Sequence, residues 1–303
     1  MTRTIAERLA GDDGGGGGVI LLDGATGTQL IARGLELGQC PELWNLARPD
    51  DVRAVHAGYA AAGSDVVHAN TFGANPFVLE KHGLADRLEE LCAAGVRLAR
   101  DAAGPGRLVA GDVGPSGLML PPVGGADPAA LEAGYARQAA ALAASGVDYL
   151  AIETMVDLAE ALCAVRGCRR GAPGLSVTAC MTFDRKKRGF FTLMGQRPDQ
   201  CARALALEGA IAVGANCSVG SAAMVELCAR LVEGAPGVPV VAKPNAGLPE
   251  MVGGHAVYRQ APDDFARDVA EMVSRGARAV GGCCGTDERF VAAIAAALGR
   301  QVG

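Results

Sequence analysis

Aromatic side chains are scarce in this 303-residue sequence: they make up 4% of it, with a single tryptophan. Half the residues are hydrophobic, so the core has to be built mainly from Ala, Val and Leu. Small aliphatic side chains suit helices packed tightly on a Val-rich parallel sheet. Also missing is any apolar run long enough to cross a bilayer, or a positively charged apolar leader, so a soluble, cytoplasmic protein is expected with no membrane partner. There is no excess of positive charge either. A formal net charge of -5 argues against a nucleic-acid partner. Neither GxGxxG nor GxxxxGK[ST] follows the first apolar run, so the nucleotide-binding fingerprints are absent.

Glycine is plentiful, and the first stretch ends in "GDDGGGGG". Residues 1–18 read as a flexible lead-in without a fold, and 19–303 as one domain. From there eight short apolar runs alternate with helical patterns. The runs cover 19–25, 64–72, 107–115, 147–154, 175–183, 210–218, 238–247 and 277–285. Each is continuous rather than alternating, as expected for parallel strands buried on both faces. The helical patterns cover 50–62, 81–103, 128–145, 157–170, 198–208, 221–232, 262–275 and 287–298. Several open with Asp, Ser or Pro, and three close on a Gly-hydrophobic step into the next strand. Eight strand–helix units predict an α/β protein with a single (β/α)8 TIM barrel.

A barrel places its active site at the C-terminal ends of its strands. Read in order, those ends carry Asp23-Gly24, Asn70-Thr71-Phe72, Asp112, Glu153-Thr154 and Thr182-Phe183-Asp184. Asn216-Cys217, Pro244-Asn245-Ala246-Gly247 and Cys283-Cys284 complete the ring. Singly, each is an ordinary turn residue; together they form a rim of polar, charged and thiol groups.

The ten cysteines sort by position. Cys92, Cys163, Cys201 and Cys228 lie in helical patterns, Cys168 at a helix end and Cys180 in a strand, and all read as small buried hydrophobes. Cys40 lies in a loop and is open to either reading. Cys217, Cys283 and Cys284 remain. Side by side, the last two are compatible with a vicinal disulfide, a metal site, a catalytic thiol or packing. The barrel brings Cys217, on the sixth strand, close to them, and flanking glycines relax the backbone so that both thiols can face one centre. Three thiolates with an open position make a candidate catalytic zinc site. His68 lies within the second strand and reads as packed or supporting, whereas His56, His82 and His255 read as solvated. Zinc bound by three thiolates suits a fourth sulfur better than a water, which points to alkylation of a thiol rather than hydrolysis. If that thiol has an amino-acid end, Asp23 and Glu153 suit its ammonium and the backbone of 24–27 its carboxylate.

The motifs "DGATGT", "ANTFGAN", "GDVGPSG", "IET", "MTFD", "GANCS", "PNAGLP" and "GGCCGT" run through nearly the whole chain from Val19 onward. With them the sequence resembles the homocysteine-binding, zinc-dependent S-methyltransferase family. "PELWNL", "HGL", "PNAGLP" and "GGCCGTD" are most similar to the homocysteine module of cobalamin-dependent methionine synthase. The resemblance implies zinc (Zn2+) held by Cys217, Cys283 and Cys284, with the homocysteine thiolate completing the coordination and methionine as product. It implies that Asn245 takes the open position without substrate and that Asp23, Gly24 and Glu153 hold the amino-acid end. Thr26, Asn70 and Asp112 match the same rim. The chain departs from that enzyme in lacking a cobalamin-binding DxHxxG signature. The methyl donor is therefore expected from outside, as methylcobalamin on a separate corrinoid protein or as a small onium compound. Gly73 stands where the betaine branch carries an aromatic, which argues against betaine. The basic run in "DRKKRGFF" reads as a solvated face, or as a dock for an acidic corrinoid protein. Three other readings compete: a different thiol or selenol acceptor, a Schiff-base aldolase using Lys243, and a non-catalytic homocysteine-binding subunit.

Overall fold

The computed structural model describes residues 3–11, 18–253 and 255–300, without the side chain of His255. The expectation that His255 is solvated therefore lies outside the described residues. The apolar runs form eight strands: β1 (Ile20–Leu21), β2 (Val66–His68), β3 (Leu108–Val113), β4 (Tyr149–Met155), β5 (Val177–Met181), β6 (Ala212–Gly220), β7 (Val240–Asn245) and β8 (Ala277–Val280). They pair in parallel around a ring that runs from β1 through β8 and back down to β2. A long helix follows each strand, from Pro49–Ala61 after β1 to Glu288–Ala297 after β8. This is the expected (β/α)8 barrel. Among the described residues no helix is long and apolar enough to cross a membrane.

The seam between β1 and β2 is closed differently. Asp65 N–H donates to Leu21 O at 2.7 Å. The Asp65 carboxylate accepts from Leu21 N–H at 2.7 Å, and the Asp23 carboxylate accepts from His68 N–H at 2.7 Å. Side chains stand in for ladder bonds that buried backbone groups would otherwise lack.

Alternation along the strands sorts the core. Ile20, Leu22, Val66, Leu108, Ala110, Tyr149, Ala151, Ala212, Val241 and Ala279 fill the barrel interior. Their neighbours Leu21, Val67, Val109, Leu150, Ile152, Val213 and Val240 pack outward against the helices. Carried one step further toward the strand C-termini, the same period of two turns His68, Asp112, Glu153, Asn216 and Lys243 inward. A charged layer thus sits directly on an apolar one.

Below that apolar layer the structure corrects the reading of 1–18 as a lead-in without a fold. Residues Ile5–Ala10 form a helix, started by a capping box in which Thr4 and Glu7 satisfy each other's backbone N–H groups. Ile5 and Leu9, one turn apart, join the barrel's inner cluster and close its N-terminal end. Residues 12–17 lie outside the described part.

Two further expectations are corrected. The helix expected over 81–103 begins only at Leu88 and runs to Ala103, after a 3-10 turn Ala85–Arg87 and a separate short helix Pro76–Glu80. Gly83, at φ +66°, cannot continue a right-handed helix. His56, expected in solvent, is fully buried, with neither ring nitrogen partnered. Helix Pro49–Ala61 turns Val52, Val55, His56, Tyr59 and Ala60 to the core as one face. Burial pulls the His56 pKa down to about 4, so the ring is neutral. His82 is exposed, as expected.

Seven cysteines are buried among apolar neighbours, including Cys40, whose thiol donates to Glu42 Oε2 at 3.2 Å. Burial pushes the thiols of Cys92, Cys168 and Cys201 up to about 12, out of reach of ionisation.

Candidate metal centre and thiol-binding cavity

The three remaining sulfurs converge. The Sγ atoms of Cys217, Cys283 and Cys284 all lie within 4.8 Å of one another, and Cys217 and Cys284 are 3.8 Å apart. Two sulfurs at about 2.3 Å from one tetrahedral zinc are themselves about 3.8 Å apart. The side-chain oxygen of Asn245 is shut away from solvent with no partner. The Asn245 amide lies against Cys217 and helps to hold its pKa down, so this orphan acceptor is suited to a cation beside the sulfurs. Donor type, spacing and the orphan oxygen all fit zinc.

Backbone strain produces this convergence. Among the described residues only Thr154, Cys217 and Ser218 have positive φ without being glycine, at +62°, +62° and +57°. They are fastened to one another. Thr154 N–H donates to Asn216 Oδ1 and Asn216 Nδ2 to Thr154 Oγ1, both at 2.7 Å. Asn216 Nδ2 also approaches Cys283 Sγ at 3.7 Å. Left-handed conformations in bulky residues persist where surrounding bonds over-determine them, and they cluster at functional sites.

The glycines beside the thiols divide: Gly285, at φ +81°, uses the expected backbone freedom, and the other two do not. Gly281 and Gly282 do not take the left-handed conformation; they are needed for space. A Cβ on Gly282 would lie 2.3 Å from Thr286 Oγ1, and one on Gly281 would lie 2.6 Å from Asp23 O. That closeness lets Thr286 Oγ1 bond Cys283 O at 2.8 Å and accept from Ala25 N–H at 3.2 Å, tying the β8 loop to the β1 loop.

The thiols of Cys283 and Cys284 donate to Cys217 and pull its pKa down to about 3. The same bonds push Cys283 well up and Cys284 to about 11. Tyr258, which the sequence reading missed, packs against Gly285 and hydrogen-bonds Cys284.

The sulfurs form one wall of a cavity of about 310 Å3. Gly24, Thr26, Asn70, Asp112 and Glu153, all expected at the site, line it with His68, Lys243 and Asn216. Asp23 and Asn245 do not. Asp23 is fully buried beside the cavity, and both its oxygens serve His68, one at the backbone N–H and one at Nδ1, each at 2.7 Å. Asn70 spends its amide group on Pro41 O and Asn45 Oδ1, each at 2.8 Å, and so builds the wall.

Lys243 also takes a role unlike the one weighed for it. Its Nζ donates to Glu153 Oε1 at 2.6 Å, and His68 Nε2 lies 3.7 Å from the same oxygen. Burial alone would lower the Lys243 pKa, but Glu153, Asp23 and Asp112 outweigh it and hold the ammonium well above its ordinary value. A Schiff-base lysine must be a free amine, so this environment disfavours the aldolase reading. Burial likewise opposes a charged His68, yet Asp23 and Glu153 raise its pKa, while His68 lowers that of Asp23. Asp23, His68, Glu153 and Lys243 form a buried chain in which acidic and basic side chains alternate. Its members come from the loop after β1 and from β2, β4 and β7, too far apart in sequence for spacing to reveal it.

A family model described as homocysteine S-methyltransferase matches residues 20–298. The methionine synthase of Mycobacterium tuberculosis is 34% identical over 297 residues, covering 92% of this chain and 24% of that one. The methionine synthase of Mycobacterium leprae is 33% identical, covering 93% of this chain and 24% of that one. The chain thus spans about a quarter of the length of these curated relatives. A crystal structure of the homocysteine methyltransferase MmuM from Escherichia coli in metallated form superposes with a TM-score of 0.75 at 27% identity, covering 92% of this chain and 96% of that one. With the family model matched across the barrel and the fold shared along the length of MmuM, the chain belongs to the homocysteine S-methyltransferase family.

Proposed function

We propose that this chain transfers a methyl group to the thiol of homocysteine, giving methionine, at a zinc site formed by Cys217, Cys283 and Cys284. The observation that carries the reading is three sulfurs at coordinating distance on the wall of a cavity with a charged floor. Bound zinc would supply one thing, a Lewis acid that keeps an incoming thiol, with a free pKa of about 8.5, ionised at neutral pH. The chain's own residues do the rest. Asn216 and Thr154 fix the strained turn that aims Cys217. Thr286 and Tyr258 hold Cys283 and Cys284. The main chain of 24–27 lines the cavity beside the sulfurs, where we place the substrate carboxylate. Metal analysis of purified protein should find one zinc per chain, lost in Cys283→Ser. Loss of the ion should cost several kcal/mol of barrier lowering, or at least about a thousandfold in rate. Metal-free wild type that still methylates homocysteine would sink the mechanism.

The methyl donor we assign to a corrinoid carried on a separate protein. Loops at the mouth of the barrel expose Leu37, Val123, Leu193, Leu248 and Met251, each more than 60% accessible. Exposed apolar side chains on several loops of one face suit a docking protein better than a small onium donor. The basic hairpin of Asp184–Lys186 and Gly189–Phe191 stands on the same face. Arg185 and Lys186 are already paired, with Glu226 and Asp184. Lys187 and Arg188 are exposed and form no ion pair among the described residues. Turnover with a methylated corrinoid protein, set against S-methylmethionine, S-adenosylmethionine and betaine, separates the donors. Full activity with a small onium compound alone would overturn the assignment.

A further inference from the structure

A polar cluster lies behind the thiols, outside the cavity. Ser221 Oγ donates to Asp268 Oδ2 at 2.5 Å, and Gln260 Nε2 donates to the same hydroxyl at 2.5 Å. Gln260 Nε2 also lies 3.4 Å from Asp268 Oδ2. Ser221 is buried, and Gln260 Oε1 is enclosed without a partner. None of the three side chains lines the cavity. A buried acceptor without a donor costs roughly 1–3 kcal/mol. The cluster bears that cost at the point where the segments carrying the sulfurs come together.

Ser221 opens helix Ser221–Gly234 and follows directly on β6, the strand that carries Cys217. Gln260 follows closely on Tyr258, the bonding partner of Cys284. Asp268 belongs to helix Pro262–Ser274, which packs against Ser221–Gly234. Between the two thiol arms runs the loop 244–247. Pro244 O accepts from Cys283 N–H at 2.8 Å, and Ala246 N–H donates to Cys284 O at 3.0 Å. Ala246 O in turn accepts from Gln260 N–H at 3.3 Å. Facing Cys217, Gly220 packs so closely on this loop that a Cβ there would lie 3.1 Å from Gly247 Cα. We propose that Asp268 is a positioning residue of the metal centre: by clasping Ser221 and Gln260 it locks the Cys217 arm to the Cys284 arm before an ion binds. The inference rests on the zinc reading above. Asp268 neither bonds a sulfur nor lines the cavity, so it acts only through the segments it joins. Ligands ordered beforehand lose little freedom on binding, and an open clasp makes the ion bear that ordering.

Asp268→Ala and Ser221→Ala each open the clasp. Zinc affinity is read by competition with a chromophoric chelator, and urea unfolding is followed for each protein with and without zinc. Both variants should hold zinc roughly 10-fold more weakly, the low end for outer partners of a metal site, because the clasp acts through main chain. The stability that zinc adds should shrink with the affinity. Glu271→Gln removes an exposed pair with Arg275 on the same helix and should leave zinc affinity unchanged. If both clasp variants lose the same stability with and without zinc, at wild-type zinc affinity, the cluster serves the fold alone and the inference falls. A loss of affinity in Glu271→Gln as large as in the clasp variants would overturn it too. Wild type that takes up no zinc defeats the zinc reading itself, and this inference with it.

Discussion

At the N-terminal end of the barrel Ile5 and Leu9 press onto Ile20, Leu22, Tyr149 and Val241 in an apolar plug. At the C-terminal end, Thr154, Cys217 and Ser218 hold left-handed backbone, and the ionisable groups of Asp23, His68, Glu153 and Lys243 are buried. Burying an aliphatic side chain stabilises by about 1.5–3 kcal/mol. Each left-handed residue costs roughly 1–2 kcal/mol. Ions taken out of water must recover their hydration from one another. One end therefore stabilises the fold, while the other holds groups where an unconstrained chain would not leave them. The alternation that fills both layers is the same, and only the residue types change on the way up.

The buried ions give the largest contrast. Lys243→Met should leave Glu153 uncompensated and destabilise by roughly 3–5 kcal/mol in urea unfolding. Adding Glu153→Gln should recover most of that loss, because the stranded charge goes with it. If the double variant is no better than the single one, the pair is not what keeps the upper layer together.

His56 tests the layer between helix and barrel by pH. Its folded pKa of about 4 lies below the ordinary histidine value of 6.5. The stability it contributes is complete above pH 6.5 and is lost as the pH falls toward 4. The loss across that window is about 3 kcal/mol. His56→Leu should flatten the dependence between pH 7 and 5 relative to wild type, and parallel curves for the two proteins would refute the attribution.

At the lower end Leu9→Ala should cost about 2 kcal/mol, the low end for a core leucine. It should leave KM and kcat untouched, since the plug and the cavity lie at opposite ends of the strands. A changed KM would mean that the two ends are coupled.

The smallest effect is a gain. Ser218→Gly should stabilise by about 1 kcal/mol by removing the left-handed penalty at φ +57°. The same substitution should loosen the turn that aims Cys217 and lower zinc affinity. A stability gain with unchanged affinity would show that the strain is incidental to the site.

The barrel was legible in the sequence because eight uninterrupted apolar runs have few other uses, and the thiol tripod because strand ends converge on one rim. What escaped has physical reasons. The glycine run drew attention away from Thr4-x-x-Glu7 and the Ile5/Leu9 spacing, both visible signals of a capped, one-sided helix. His56 sits on a helix face with Val52, Val55 and Tyr59, but its polarity outweighed its position. Asp23 and Lys243 were both identified as important, but the side chains they meet inside the barrel were not. Asp23 meets His68 and Lys243 meets Glu153 across the barrel, and one sequence contains no term for that distance. The glycines beside Cys283 were read for their freedom, when Gly281 and Gly282 matter for the room they leave.

A closed barrel is a ring in which each strand has two neighbours, and here one link is a clasp. Leu21 and His68 have their amides held by the carboxylates of Asp65 and Asp23, and Arg300 reaches the same Asp65 at 2.6 Å. A side chain releases an amide by rotating about its own bonds, whereas a ladder lets go only when a strand moves. In deuterated buffer the amides of Leu21 and His68 should exchange ahead of those on β4 and β5. The barrel should open first at this clasp, directly beneath the loop that joins the thiols to β1.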